Sequence, residues 1–437
     1  MADIAAVTHL LRRTEFIARP ARVAELAALA TIDDAVANVL DFAVNANPQV
    51  PADLQVHDSA NSYTQRVNAY NWWVDSMVSR PRPFQEKLTL FWHGHFVSEW
   101  DSVNRTDHMT HQNQLYRTNA IGNFLSLTQW MAVEPAMLLY LSNAVNVKTA
   151  PNENFARELL ELFTLGVGNY TEDDVKAAAR AWTGHNYNTT TKAYEIRLSK
   201  HDNEPKTFFD TLPRNWDGPD IINEILRDNA GKRLIAARLI AKKLWEFLAY
   251  PKPATDIVAA LGDVFIANNL EIRPLVQAIL VHPQFYAPEA INGLVRTPTE
   301  WAVALMAYSG LTSAGIGLYN YAERMGQTVF DPPNVSGWKS NTYWLTTSAV
   351  SGRAAVAKRV ASLMRANGGY DFLSGLSTTA AVTSVATAFG LDPLPAATAS
   401  ALADAYSAER GASNGSVSKA NTNLLTMMML TAEMNVC

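Results

Sequence analysis

The chain has 437 residues, a net charge of −5 and one cysteine, Cys437, at its last position. With 48% hydrophobic and 18% charged residues it has a globular composition. The absence of a basic block argues against nucleic acid, and a lone cysteine excludes an intrachain disulfide framework or a cysteine metal cluster. At about 150 residues per domain the length allows two or three domains, or one large helical one. The N-terminus, MADIAAVTHLLRRTEF, lacks a basic stretch followed by an apolar core. A soluble, cytoplasmic protein is therefore expected, with export alongside a partner left open. No apolar run reaches the ~18 residues of a membrane span.

Residues 3–45 read as two or three short helices, because HLLRR and VAELAALA have helical spacing and Pro20 opens a turn. Residues 46–62 are a polar loop, kept extended by NPQVP. Residues 63–80 carry Tyr70, Trp72, Trp73 and Met77. In 84–98, FQEKLTLFWHGHFVS, the residues Phe84, Leu88, Phe91, Trp92 and Phe96 fall at helical spacing after two prolines. Residues 101–119 are polar, and 120–143 read as two helices, the second opened by Pro135.

The stretch 151–184, PNENFARELLELFTLGVGNYTEDDVKAAARAWTG, is the most informative. Asn152 or Asn154 can cap a helix that Gly166 closes. Phe155, Leu159, Leu160, Leu162 and Phe163 form its apolar arc, with Asn154, Arg157, Glu158 and Glu161 opposite. Thr171, followed by Glu172, Asp173 and Asp174, starts a second helix. Residues 185–218 alternate in AYEIRLS and are rich in turn formers, which predicts a long loop or small β-hairpin. Helix returns over 219–280 and 297–326. A second irregular stretch, QTVFDPPNVSGWKSNTYWLTTSAV, fills 327–350. Helices follow at 351–366, 377–389 and 397–408, then a Gly/Ser/Asn loop at 411–418 and a last helix. Helices without strand partners predict one large all-α domain. The two irregular segments are expected to meet over the 152–161 helix and WHGHF.

Several of these stretches occur together in one known family. HLLRR, LTLFWHGHF, PAMLLYL, the 151–184 hairpin, His201-Asp202 with PKTFF, AKKLWEFL, VHPQF and FDPPNVSGW stand in order across nearly the whole chain. On these motifs the chain resembles the bacterial domain of unknown function 1800 (DUF1800) family. Phe16 is followed by Ile17 where that family usually has glycine, and the chain closes on TAEMNVC where a form like SPEFQ is usual. Both departures lie away from the polar motifs. The resemblance implies a helical fold and no agreed activity, so function is read from the residues.

His93 and His95 in WHGHF are two apart and would diverge by about 200° in an unbroken helix. They can share a divalent transition metal only if the helix ends near Trp92, with Gly94 as the break. Glu99, Asp101, His108, His111 or His201 could complete the shell. Otherwise the two histidines cap a helix end. His108 and His111 share a helix face in a polar run.

Glu153, flanked by Asn152 and Asn154, can act as acid or base at a cleft floor, with Glu158 or Glu161 as the second carboxylate that glycoside hydrolysis requires. Arg157 can pair with Glu161 and lower its pKa. His201 and Asp202 suit proton transfer, with Lys206 beside them. FDPPNVSGW is a rigid loop exposing Asn334, Trp338 and Asp331, and Arg353 can contact an anion. Tryptophans beside Asn, Asp or His lean toward sugar rings. No dinucleotide, P-loop, H-E-x-x-H or G-x-S-x-G motif occurs.

The expectation is a carbohydrate hydrolase cleaving glycosidic bonds with Glu153 and Glu158, aided by His201 and Asp202. Asn152, Asn154, Arg157, Lys206, Asn334, Trp338 and Arg353 would contact a small-molecule or glycan substrate. The alternatives are a metal-dependent hydrolase or oxidoreductase using His93 and His95, and a non-enzymic interaction protein. The oligomeric state is not legible.

Overall fold

The computed structural model describes residues 1–391, 393–411 and 416–437; the loop expected at 411–418 lies partly outside them. Asp3 accepts a hydrogen bond from Ala6 N–H and starts α1 (Ile4–Thr14). Helices α2 (Ser62–Ser79), α3 (Phe84–His95), α4 (Thr106–Thr118) and α5 (Pro135–Tyr140) follow. The polar run at 101–119, read as carrying His108 and His111 on one helix face, is largely helix, and it buries Thr106, His108, Met109 and Tyr116 despite its weak apolar pattern. Helix α6 (Asn154–Glu158) continues as a π-helical turn over Leu159–Thr164, and Gly166 leaves it at φ +82°. Thr171 and Asp174 form a reciprocal capping box for α7 (Glu172–Ala181). The expected hairpin is β1 (His185–Tyr187) paired antiparallel with β2 (Tyr194–Ile196), His185 opposite Ile196. Then come α8 (Gly218–Asn223), α9 (Ala230–Leu248), α10 (Pro298–Ser309), α11 (Thr347–Ala366) and α12 (Val417–Met429). Among the described residues one two-stranded sheet accompanies the helices, so the fold is all-α as expected. No helix among them is long and apolar enough to cross a membrane.

Two groups of apolar side chains make the interior. Phe155 on α6, Leu160 on the π-helical turn, Trp182 at the C-terminal cap of α7, and Ile240 and Trp245 on α9 belong to the first. Trp73, Trp301, Val356 and Leu424 belong to the second, on α2, α10, α11 and α12. Helix α3 serves both, giving Phe91 and Trp92 to one and Leu90 to the other. Apart from Gly94 all its residues are buried, including the polar Gln85, Glu86, Lys87, Thr89, His93 and His95. Its two internal charges are matched: Glu86 accepts from Arg117 Nε at 2.6 Å and Trp73 Nε1 at 3.0 Å, and Lys87 pairs with Glu300 at 2.9 Å.

The FDPPNVSGW loop closes on α3. Phe330 adopts φ +70°, costly for a residue with a β-carbon. Hydrogen bonds on both sides hold it: its N–H donates to His93 Nε2 at 3.1 Å, and its carbonyl accepts from Trp100 N–H at 3.0 Å. Gly337 lies so close to α3 that a β-carbon would sit 2.6 Å from the Gly94 carbonyl oxygen. The 185–218 segment is held elsewhere, by Lys148 N–H on the Lys200 carbonyl at 2.8 Å and by Phe209 N–H on Asp174 at 2.8 Å. The two irregular segments thus close on different neighbours, α3 and α7, instead of over one shared recess.

Candidate metal centre

Helix α7 ends in Arg180-Ala181-Trp182, and the chain turns at Gly184 with φ +79°. A β-carbon there would approach the Arg197 carbonyl to 2.8 Å, so only glycine lets β1 start this close to the returning strand. His185 therefore emerges at the base of the hairpin, fully buried against the Trp182 ring at 4.6 Å. His201 follows the hairpin, with its ring 5.8 Å from that of His185. Asp217 caps α8, and Gly218 lies flat on Trp182, where a β-carbon would meet the indole at 2.5 Å. That contact brings Asp217 over the two imidazoles.

The donor atoms of His185, His201 and Asp217 all lie within 4.8 Å of one another. His185 Nε2 is 2.8 Å from Asp217 Oδ1, and His201 Nε2 is 4.0 Å from the same oxygen. Ligands bonded at ~2.0–2.1 Å to one tetrahedral ion sit roughly 3.4 Å apart, which these two separations bracket. Both rings are oriented from behind. His201 Nδ1 must carry a proton, because it faces the Thr183 carbonyl at 2.7 Å. A neutral His201 then presents a bare lone pair at Nε2 toward the carboxylate. His185 Nδ1 lies 2.6 Å from the Tyr194 hydroxyl, which can donate to the ring or accept from it. Such outer partners are how proteins fix the tautomer of ligating histidines. Burial would raise the Asp217 pKa, but the hydrogen bond and charge of His185 hold it below the usual carboxylate range. The imidazoles are walled in, whereas the Asp217 side chain is 42% exposed, so the open coordination side faces solvent.

Several residues expected to act directly serve this loop instead. Asp202 accepts from Arg180 Nε at 2.7 Å and, through its other oxygen, from Glu204 N–H at 2.9 Å. Lys206, expected to touch substrate, is buried and spends its three hydrogens on the carbonyls of Asp202 (2.6 Å), Glu204 (2.9 Å) and Trp216 (3.2 Å). It ties His201-Asp202 to Trp216-Asp217.

The WHGHF pair is not a metal site. Helix α3 runs unbroken through His95, so the rings diverge. His93 accepts from Phe330 N–H and packs on Trp73, Tyr116 and Trp338. His95 donates to the Phe163 carbonyl at 3.2 Å, one of the carbonyls left at the end of the π-helical turn. Burial pushes His93 down to about 3 and His95 well below the usual histidine value.

The NEN helix also differs from expectation. Arg157 bonds Glu153 at 3.0 Å and Glu172 at 2.7 Å, not Glu161, which accepts from the Tyr170 hydroxyl. Asn152 uses its side-chain oxygen on Asn154 N–H at 3.0 Å, while Asn154 itself is exposed. Glu158 is felt by Tyr140, and the Arg157 charge also reaches it. Asn334 is an exposed turn residue that accepts from Ser336 N–H at 2.9 Å. Asp331 is held by Arg66. Arg353 is buried, bonding Asn435 and the Arg296 carbonyl, so it is no substrate contact. Trp338 is half-buried beside His93 and lines a cleft with His95. His108 and His111 line a polar cavity of about 830 Å³ but face different carboxylates, Asp107 and Glu134.

His185, Tyr194 and Asp217 are the residues that motif reading misses. Their only signal is positional: a histidine at each base of a predicted hairpin and an aspartate at the next helix cap. No curated protein and no solved structure matches the chain. The model of the family described as "Protein of unknown function (DUF1800)" matches residues 9–436. Because that match covers nearly the whole sequence, the chain belongs to the DUF1800 family.

Proposed function

We propose that the chain is a divalent-metal-dependent hydrolase, its ion held by His185 Nε2, His201 Nε2 and the Asp217 carboxylate. One observation carries this reading. His201 Nε2 faces Asp217 Oδ1 across 4.0 Å, beyond hydrogen-bond reach, while that oxygen accepts from His185 Nε2 and from Gly218 N–H at 2.8 Å each, so three donor atoms converge on one spot. A cation within reach of all three donors would take a lone pair from each, with the proton that His185 shares with Asp217 displaced. Two histidines and a carboxylate leave positions for water and substrate. A bound ion supplies a Lewis acid and a water acidified toward neutral pH. The chain supplies Tyr194, within reach of His185, and the exposed flank of Asp217 through which a substrate enters.

The purified chain should take up one zinc ion, read by calorimetry and elemental analysis. His201→Ala and Asp217→Ala should each lose at least a hundredfold in affinity, while His93→Ala should bind zinc as the wild type does. Zinc uptake that survives both losses, or no uptake at all, overturns the reading. Stoichiometric iron with no hydrolytic turnover would move the activity to oxidation.

Glycosidic-bond cleavage is the second reading, supported by Glu158. Its burial and the charge of Glu161 raise its pKa against the pull of Arg157, which suits a general acid. Glu158 and Glu99 both bear on Tyr140, whose hydroxyl burial pushes up to about 12. Glu99, not the ion-paired Glu153, is then the second carboxylate. Glu158→Gln should keep zinc and lose turnover on a glycan panel. Unchanged turnover in that variant, or none in the wild type, removes this reading.

A further inference from the structure

A second cleft, of about 220 Å³, lies away from the metal centre, between α3, α9 and the FDPPNVSGW loop. At ~30 Å³ per water it has room for roughly seven waters, or for one small ring-bearing molecule. Phe91, Phe247, Trp338 and Trp344 give it aromatic walls. Lys243 and Glu246 stand three residues apart on one face of α9, and both line it. Lys87 is tied to Glu300, and Lys206 to three carbonyls. Lys243 has two acceptors: the Leu162 carbonyl at 2.7 Å and His95 Nδ1 at 3.3 Å. His95 Nδ1 is free to accept because its Nε2 proton goes to Phe163. One of the three Lys243 donor positions is left for the cleft.

We propose that Lys243 is a nucleophilic amine that captures small aromatic aldehydes or ketones in this cleft as an imine. The free amine attacks the carbonyl carbon, the C–N bond forms, and the C=O π pair moves to oxygen, which is protonated. Glu246, or water beside it, relays protons. The hydroxyl then leaves as water while nitrogen loses its second proton, giving C=N. One amine and one carbonyl yield one imine and one water, so no further reactant is required. A protonated imine keeps one N–H for the Leu162 carbonyl, so the lysine need not leave its seat.

The environment favours the reaction. Burial pushes Lys243 down to about 8, against the opposing charge of Glu246. An ordinary lysine at ~10.4 is almost wholly protonated near neutrality and does not attack. The aromatic walls favour a planar, ring-bearing carbonyl compound.

The test uses the full chain, 4-hydroxybenzaldehyde as probe, sodium borohydride to fix the imine, and peptide mass mapping. Lys242, the exposed neighbour, is an internal control that needs no variant. At pH 7.5 Lys243 should be labelled at least tenfold faster than Lys242, and its rate should level off as pH passes ~8. Trp338→Ala should slow labelling of Lys243 several-fold without touching Lys242. Labelling spread over the lysines by exposure, or an unlabelled Lys243, overturns the proposal. Zinc uptake is measured in the same preparation, so failure here and failure of the metal reading are told apart.

Discussion

Replacing Lys206 by methionine should lower the stability of the fold by roughly 3–5 kcal/mol and weaken zinc binding ten- to a hundredfold. The ammonium is buried and serves the carbonyls of Asp202, Glu204 and Trp216. Methionine fills the space of the stem but donates nothing. Each buried carbonyl left without a donor costs ~1–3 kcal/mol, reduced where water can enter. Asp202 also loses a nearby cation, though Arg180 still holds it. The metal effect is indirect: the three bonds hold the segment bearing His201 to the segment bearing Asp217, so their loss lets the donor atoms drift apart. Urea unfolding and zinc calorimetry on the same variant give both quantities. A variant within 1 kcal/mol of wild type, with unchanged zinc affinity, would show that Lys206 does not position the site.

The helices were legible from their caps and apolar spacing, since both act within one turn. Thr171 with Asp174 and Pro135 before an apolar run are local signals, and each marks a helix start in the structure. The hairpin was legible for a similar reason, because alternation in AYEIRLS has a period of two. The candidate site was legible only in part. His201 stood out because Asp202 follows it, yet the ligand partners are His185 and Asp217, brought in by the close packing at Gly184 and Gly218. Nothing in the local sequence encodes which ring a glycine will lie against. Arg353 and Lys206 failed as substrate contacts for a related reason: a charged side chain reads as exposed until its buried carbonyl partners are known. WHGHF resembled a ligand pair, but two histidines that each cap backbone look the same in sequence as two that share an ion.

That distinction has a thermodynamic consequence: the fold should already lose stability as pH falls from 6.5 to 5, before most of its carboxylates protonate. Burial pushes His9 and His93 down to about 3, and His95 well below the usual value. The unfolded chain binds a proton on each ring near 6.5, whereas the folded chain binds none there. Below 6.5 the unfolded state therefore holds more protons, and stability rises with pH through this window. Three such rings alone would give a slope of ~4 kcal/mol per pH unit once the unfolded rings are charged. His108, lowered to about 4, adds in the same direction. His111, raised by its hydrogen bond to Glu134, acts oppositely but only above 6.5. The carboxylates that burial raises, Glu15, Glu134 and Glu158, reduce the slope, because they hold protons in the folded state that the unfolded chain has lost.

The geometry explains why these rings resist protonation. His93 Nε2 must stay bare to accept from Phe330 N–H, and His95 Nδ1 must stay bare to face the Lys243 ammonium. A proton on either would put a charge among aromatic rings, with no anion to meet it. Urea midpoints between pH 6.5 and 5 measure the slope above the main carboxylate range. His93→Asn should reduce the proton uptake on unfolding by one, flattening the slope by ~1.4 kcal/mol per pH unit even if the variant is less stable throughout. A wild-type slope near zero, or one that His93→Asn leaves unchanged, would mean that His93 titrates alike folded and unfolded.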